Sequence, residues 1–185
     1  AAPPTEGPMG AKELIANAMV LKAPLQIHHD NDYGWWEIQE IMHQAREQGH
    51  NIWATYYPWI AGAGTYSNSI VHPPVWEGRM GFKYEETIYD VQMKRFVTKD
   101  EFLKFAEEEP DRALLAYSPP RKKWLPEWTK VKGFIVASDG TPGVNIEGEL
   151  LDWDSPFEHY SGHPRTVGTS GITLRLSREE GVPLM

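Results

Sequence analysis

Apolar positions recur at helical spacing twice near the start of the chain. Leu14, Ile15, Ala18 and Met19 give residues 11–21 one apolar face, which predicts a helix. Ile38, Ile41, Met42 and Ala45 do the same for residues 36–48, and Gly49 stands where a helix-ending glycine belongs. Between them, Pro24 and Leu25-Gln26-Ile27 read as a tight connection and a short strand with a polar end, His28-His29-Asp30. Residues 51–57 are rich in β-formers and stop at Pro58. The order helix–strand–helix–strand predicts a parallel sheet with crossover helices.

The pattern then breaks. Residues 61–64 read as flexible, residues 71–81 are interrupted by prolines and glycines, and residues 82–98 are aromatic and charged without a clean period. Thr98-Lys99-Asp100-Glu101 has the form of a capping box. It opens a helix with Phe102, Phe105 and Ala106 on its apolar face, which Pro110 ends. Residues 113–117 read as a strand, and residues 118–128 as a loop or short helix rich in Pro, Lys and Trp. A continuous apolar run, Phe134-Ile135-Val136-Ala137, then stops at Ser138-Asp139-Gly140. Such a run suits a strand buried on both faces. A long acidic and aromatic loop follows, then His163-Pro164-Arg165 and the beginning of a helix over 172–178.

At 185 residues the chain is long enough for one domain with a real core. A net charge of −8 argues against a nucleic-acid partner, and Arg121-Lys122-Lys123 is too isolated to make a membrane patch. Cysteine is absent, which removes disulfides, thiolate metal ligands and a Cys nucleophile. No apolar run approaches the roughly 18 residues needed to span a bilayer, and residues 1–10 lack the features of a signal peptide. The expected location is the cytoplasm, with the periplasm left open. The 8 Trp residues need either a core or a binding surface. Core packing suits Trp36 and Trp53. Trp76, Trp124, Trp128 and Trp153 fall in loop-like contexts, where a cap over a pocket is the other reading.

Two polar strand ends carry the candidate chemistry. His28-His29 is placed to bind a divalent metal or to exchange protons; the plainer reading is two histidines hydrogen-bonded to a loop. Asp139 ends the second strand, where α/β barrels place catalytic groups; the plainer reading is a turn aspartate before a turn glycine. A metal-bound His and a strand-end Asp are the parts needed to activate water and hand its proton to a leaving nitrogen. Arg79 and Arg165 lie in Gly- or Pro-bounded loops, where each is either a carboxylate clamp or a loop anchor.

These residues in this order resemble the N-acyl-D-amino-acid deacylases (D-aminoacylases) of the amidohydrolase superfamily. The resemblance rests on Leu25-Gln26-Ile27-His28-His29, on Tyr57-Pro58-Trp59 with Ala61-Gly62 and Thr65, and on Pro73-Pro74-Val75-Trp76 with Gly78. It continues through Ala137-Ser138-Asp139-Gly140 and His163-Pro164-Arg165 with Gly168-Thr169. It implies an α/β chain forming the second half of a (β/α)8 TIM-like barrel with an inserted lid. In that frame residues 1–81 supply barrel units, 82–128 the lid-like insertion, and 129–185 the final strand, the long loop and the start of a C-terminal helix. It implies metal-dependent hydrolysis of the amide of an N-acyl-D-amino acid, with His29, joined by His28, on one or two zinc ions and Asp139 as the proton shuttle. Arg79, Arg165, Trp76 and Tyr57 are then the substrate contacts.

The chain departs from the family pattern where metal ligands are expected. It has no His-x-His strand end, and Ala54-Thr55-Tyr56 stands where a further His belongs. A (β/α)8 barrel also needs about 250 residues. A companion chain supplying the first half of the barrel is therefore expected, and the chain is not expected to function alone. The alternative is a non-catalytic binding or assembly subunit with a lost metal site. A third reading, an aromatic-lined sugar-binding module, would use the loop Trp residues.

Overall fold

A computed structural model describes residues 7–30, 32–133 and 135–182. In chain order the elements are helix α1 (Gly7–Leu21), strand β1 (Leu25–Ile27), α2 (Trp35–Glu47), β2 (Ile52–Tyr56), β3 (Ala61–Thr65), and the short helices α3 (Pro73–Trp76) and α4 (Tyr84–Thr87). Then come β4 (Ile88–Asp90), β5 (Arg95–Phe96), α5 (Lys99–Glu108), β6 (Ala113–Tyr117), α6 (Arg121–Trp128), β7 (Ile135–Val136) and α7 (Arg165–Glu179). The chain divides into two compact units. The first takes the described residues of Ala2–Pro58, Lys123–Ser138 and Thr169–Met185; the second takes Trp59–Lys122 and Asp139–Gly168.

The first unit holds a parallel three-stranded sheet in the order β1-β2-β7. Leu25 pairs with Ile52 and Ile27 with Ala54; Thr55 pairs with Ile135 and Tyr56 with Val136. Ile38, Met42 and Ala45 of α2 recur at one-turn and two-turn spacing and are buried. They join Ile15 and Ala18 of α1 and Ile52 and Ala54 of β2 in one core. Each large apolar side chain buried there contributes about 1.5–3 kcal/mol. Gly49 closes α2 at φ 87, a left-handed conformation that glycine adopts without steric cost. Phe134, expected at the start of β7, lies outside the described residues.

The second unit holds an antiparallel four-stranded sheet in the order β3-β6-β4-β5. Its core gathers Tyr66, Val71, Trp76, Tyr84, Ile88, Val97, Phe102 and Leu114. At its centre Asp90 is fully buried and receives two hydrogen bonds from Arg112, from Nε at 2.6 Å and Nη2 at 2.9 Å. The Tyr66 hydroxyl and the Met93 N–H also donate to it, at 2.8 and 2.6 Å. Burial alone would push the Asp90 carboxyl up; the hydrogen bonds from Arg112, Met93 N–H and Tyr66 outweigh it and hold the group below its ordinary value. The capping box forms as expected: Thr98 Oγ1 accepts from the Glu101 N–H at 3.2 Å, and Glu101 Oε2 accepts from the Thr98 N–H at 2.8 Å.

Several expectations from sequence need correction. Residues 61–64 are not a flexible link: β3 pairs with β6 from Ala61–Tyr117 to Thr65–Ala113. The small side chains carry no strand signal, and the pairing that makes them a strand comes from residues far along the chain. The last helix begins at Arg165, well before residue 172. The antiparallel unit begins at Trp59 and takes back residues 139–168. Among the described residues the parallel sheet has three strands, against eight in a (β/α)8 barrel.

Candidate functional site

The three strands of the first unit run parallel, so their carboxyl ends share one rim. Beyond β1 the chain stays bonded to β2. The His29 N–H donates to Thr55 Oγ1 at 3.2 Å, and the Asp30 N–H donates to the Thr55 carbonyl at 3.0 Å. Beyond β7 the Ala137 N–H donates to the Tyr56 carbonyl at 2.9 Å. Thr55, within the Ala54-Thr55-Tyr56 stretch where the resemblance expects a histidine, thus anchors the turn that carries His29.

His28 is exposed and His29 half-buried, with ring centroids 6.0 Å apart. The His29 ring lies 5.7 Å from the ring of Tyr57, which is itself buried. His29 has φ 56 and Asp139 has φ 51, in a region that residues other than glycine rarely occupy. Both candidate residues therefore sit where the backbone turns sharply as it leaves a strand. Backbone held in such conformations recurs at functional sites.

Asp30 closes the polar strand end after His28-His29. Its carboxyl is raised to about 6: burial is the main cause, the Gln39 side-chain hydrogen bond at 2.8 Å opposes it, and Asp32 adds to it. A carboxyl poised near neutrality is suited to proton exchange.

The second unit brings together two residues singled out from sequence. Arg165 Nη1 donates to Asp139 Oδ2 at 2.5 Å. The Arg165 side chain is 13% exposed and the Asp139 side chain 42%. Behind them lies His163, buried at 6% exposure. Its Nδ1 accepts from the Arg165 main-chain N–H at 3.1 Å, so the ring proton is on Nε2, which donates to the Ala61 carbonyl at 3.0 Å. Trp59 packs edge-on against the ring, with centroids 5.0 Å apart. Burial lowers the His163 imidazole to about 4; the hydrogen bond to Ala61 opposes this, and the positive charges of Arg165 and Arg121 add to it. His163 and Arg121 are the residues of this cluster that sequence reasoning missed. The His-Pro-Arg tripeptide was the signal for the first; the second stood out only as part of the basic triplet Arg121-Lys122-Lys123.

The remaining candidates fall elsewhere. Trp76, expected as a ring over a pocket, is 3% exposed within the core of the second unit, and its Nε1 donates to Thr87 Oγ1 at 2.8 Å. Arg79 lies exposed just after α3. Trp128 is fully buried, whereas Trp36, expected in the core, is 45% exposed and contacts Tyr33 and Trp124 edge-on. A groove of about 550 Å3 opens in the second unit between the β4–β5 turn, at Lys94, and the loop carrying Ile146, His159 and Tyr160.

Among the described residues, no group of three or more His, Cys, Asp or Glu is placed to hold a metal ion. A catalytic zinc takes three protein ligands. The donor set around His28 and His29 among the described residues thus does not fit the zinc centre implied by the resemblance.

No family model matches the chain, and no curated protein matches it. Solved structures do. The N-acyl-D-glutamate deacylase from Bordetella bronchiseptica, solved with zinc and a phosphonate mimic of the tetrahedral intermediate, aligns with a TM-score of 0.62 at 14% identity, over 98% of this chain and 37% of that one. A D-aminoacylase aligns with a TM-score of 0.62 at 15% identity, over 97% and 36%. A second D-aminoacylase structure, concerned with its binuclear metal centre, gives a TM-score of 0.60 at 15% identity, also over 97% and 36%. The chain has the fold of part of these amidohydrolase barrels and spans little more than a third of their length.

Proposed function

We propose that this chain is a binding and assembly part of an amidohydrolase-like barrel whose metal site has been lost, and that it recognises N-acyl-D-amino acids through Arg165. The observation that carries this reading is the donor set: His28 and His29 stand at the strand rim, yet no third ligand joins them among the described residues. Two further facts support it. The alignment to deacylase structures runs over nearly the whole chain. A largely buried guanidinium paired with a half-exposed carboxylate also suits recognition of a carboxylate ligand. The open edges of β1 and β7 are the surface on which the rest of a barrel would add its strands.

A second reading, metal-dependent amide hydrolysis once the rest of the barrel is in place, is favoured by the polar strand end His28-His29-Asp30. In it Asp139 moves the proton and the remaining metal ligands come from the companion part.

Zinc titration of the purified protein, with any companion retained, separates the two. No His29-dependent zinc equivalent and no hydrolysis of N-acyl-D-amino acids are expected. One tightly held equivalent that His29→Ala removes, with hydrolysis abolished by both His29→Ala and Asp139→Asn, would overturn the first reading in favour of the second.

A further inference from the structure

Three aromatic rings of the first unit meet at its surface. Tyr33 and Trp36 are each 45% exposed, and Trp124 is half-buried. Local chain geometry puts the first two side by side. The Trp35 N–H donates to the Asp32 carbonyl at 3.1 Å, Gly34 turns the backbone at φ 89, and α2 starts at once, so Tyr33 comes against Trp36. Helix α6 brings the third ring: Trp124 stands one turn before the fully buried Trp128. Trp36 also lies edge-on to Trp35, and Trp35 packs against Trp128 and against Tyr56, the last residue of β2. The rings are therefore seated over the middle strand of the sheet rather than over its outer strands, β1 and β7. They do not stack. Tyr33–Trp36, Trp36–Trp124 and Tyr33–Trp124 have centroids 5.2, 5.8 and 6.4 Å apart and are inclined by 71°, 62° and 68°. Rings so inclined form a corner and not a level platform. Their centroids are close enough for one cation to lie within about 6 Å of all three, the range over which a ring quadrupole attracts it. The surroundings favour positive charge. Asp32 precedes Tyr33, Glu37 follows Trp36 and Glu40 stands one turn on, against Lys123 and against Lys12, which is paired with Glu37 at 2.6 Å. The whole chain carries −8.

We infer that Tyr33, Trp36 and Trp124 form an aromatic cage for a small trimethylammonium compound. Such a cation spreads its charge over three methyl groups, so it makes apolar contact with the rings and is attracted by their faces at the same time. A primary ammonium is a compact, strongly hydrated charge whose N–H donors the rings cannot satisfy as water does. Binding makes and breaks no covalent bond. The inference does not rest on the reading of Arg165 as a carboxylate site.

The test is calorimetric titration of the purified protein, with any companion retained, using three probes: choline, ethanolamine, and the uncharged alcohol in which a carbon replaces the choline nitrogen. The alcohol matches choline in shape, so the comparison isolates the charge. Choline is expected to bind at least about tenfold more tightly than either of the others. Trp36→Leu keeps an apolar side chain at a half-exposed position and is expected to weaken choline at least about fivefold, as is Trp124→Leu. Trp36→Phe is expected to lose less than Trp36→Leu, because a smaller ring still presents a face to the cation. Equal binding of choline and the uncharged alcohol would mean an apolar patch and no cage, and would overturn the inference. So would choline binding that survives both leucine variants, since the cation would then sit elsewhere, and so would a failure of choline to bind the unaltered protein. None of these results bears on N-acyl-D-amino acid binding, so the proposed function is tested separately.

Discussion

His163 couples the candidate site to pH, and the coupling has a definite sign. The buried ring is held at about 4, against an ordinary value near 6.5. Folded His163 stays neutral where the unfolded ring takes a proton, so stability falls as the pH drops below about 6.5 and the loss levels off below about 4, once both states are protonated. At about 1.4 kcal/mol per pH unit, the loss from this one group is about 2 kcal/mol at pH 5 and about 3 kcal/mol at pH 4. The ring is 6% exposed, so solvent screening takes little from that figure. Other groups titrate over the same range, and His163→Gln separates them: its amide can still donate to the Ala61 carbonyl but does not ionise. At pH 7 the variant is expected to be about 1 kcal/mol less stable, for the lost acceptor of the Arg165 N–H. Between pH 7 and pH 5 the unaltered protein should then lose about 2 kcal/mol more than the variant. Urea unfolding at pH 7, 6 and 5, followed by tryptophan fluorescence, measures the difference. Equal losses in the two proteins, or an NMR titration placing the His163 ring near 6.5, would refute the reasoning.

Arg112→Met removes the partner of a fully buried carboxylate, and breaking such a pair costs about 3–5 kcal/mol; urea unfolding should register that loss, and a change below about 1 kcal/mol would mean Asp90 finds another partner. Thr98→Ala removes one half of the capping box of α5 and is expected to cost about 1 kcal/mol in thermal or urea unfolding; Thr98→Asp should restore most of it.

Local pattern was enough for much of the fold. The α2 face, the glycine that closes it, β1, β2, β6 and the capping box of α5 depend on residues within a few positions of one another, so their physics is written along the chain. The two polar strand ends were legible for the same reason: a short apolar run followed by His-His or Ser-Asp announces where a strand stops. Composition likewise shows that this chain supplies no thiolate.

The partnerships were not legible. Asp139 and Arg165 are 26 residues apart, and His163 reaches Ala61 across 102. Arg121 stood out only as part of a basic triplet, with nothing to tie it to His163. Residues 61–65 are small and lack the signature of a strand; they become one because β6 supplies the other half of the hydrogen bonds. Trp76 and Trp36 exchanged their expected places, one into a core and one toward solvent, because prolines and glycines around a ring describe the backbone and not what packs above it. Sequence by itself determined where the locally patterned helices and strands would form, and which chemical groups the two polar strand ends would carry. Tertiary structure alone decided which charges meet and which rings are buried, because a contact between distant residues exists only after the chain has given up its freedom to bring them together, and no local period encodes that choice.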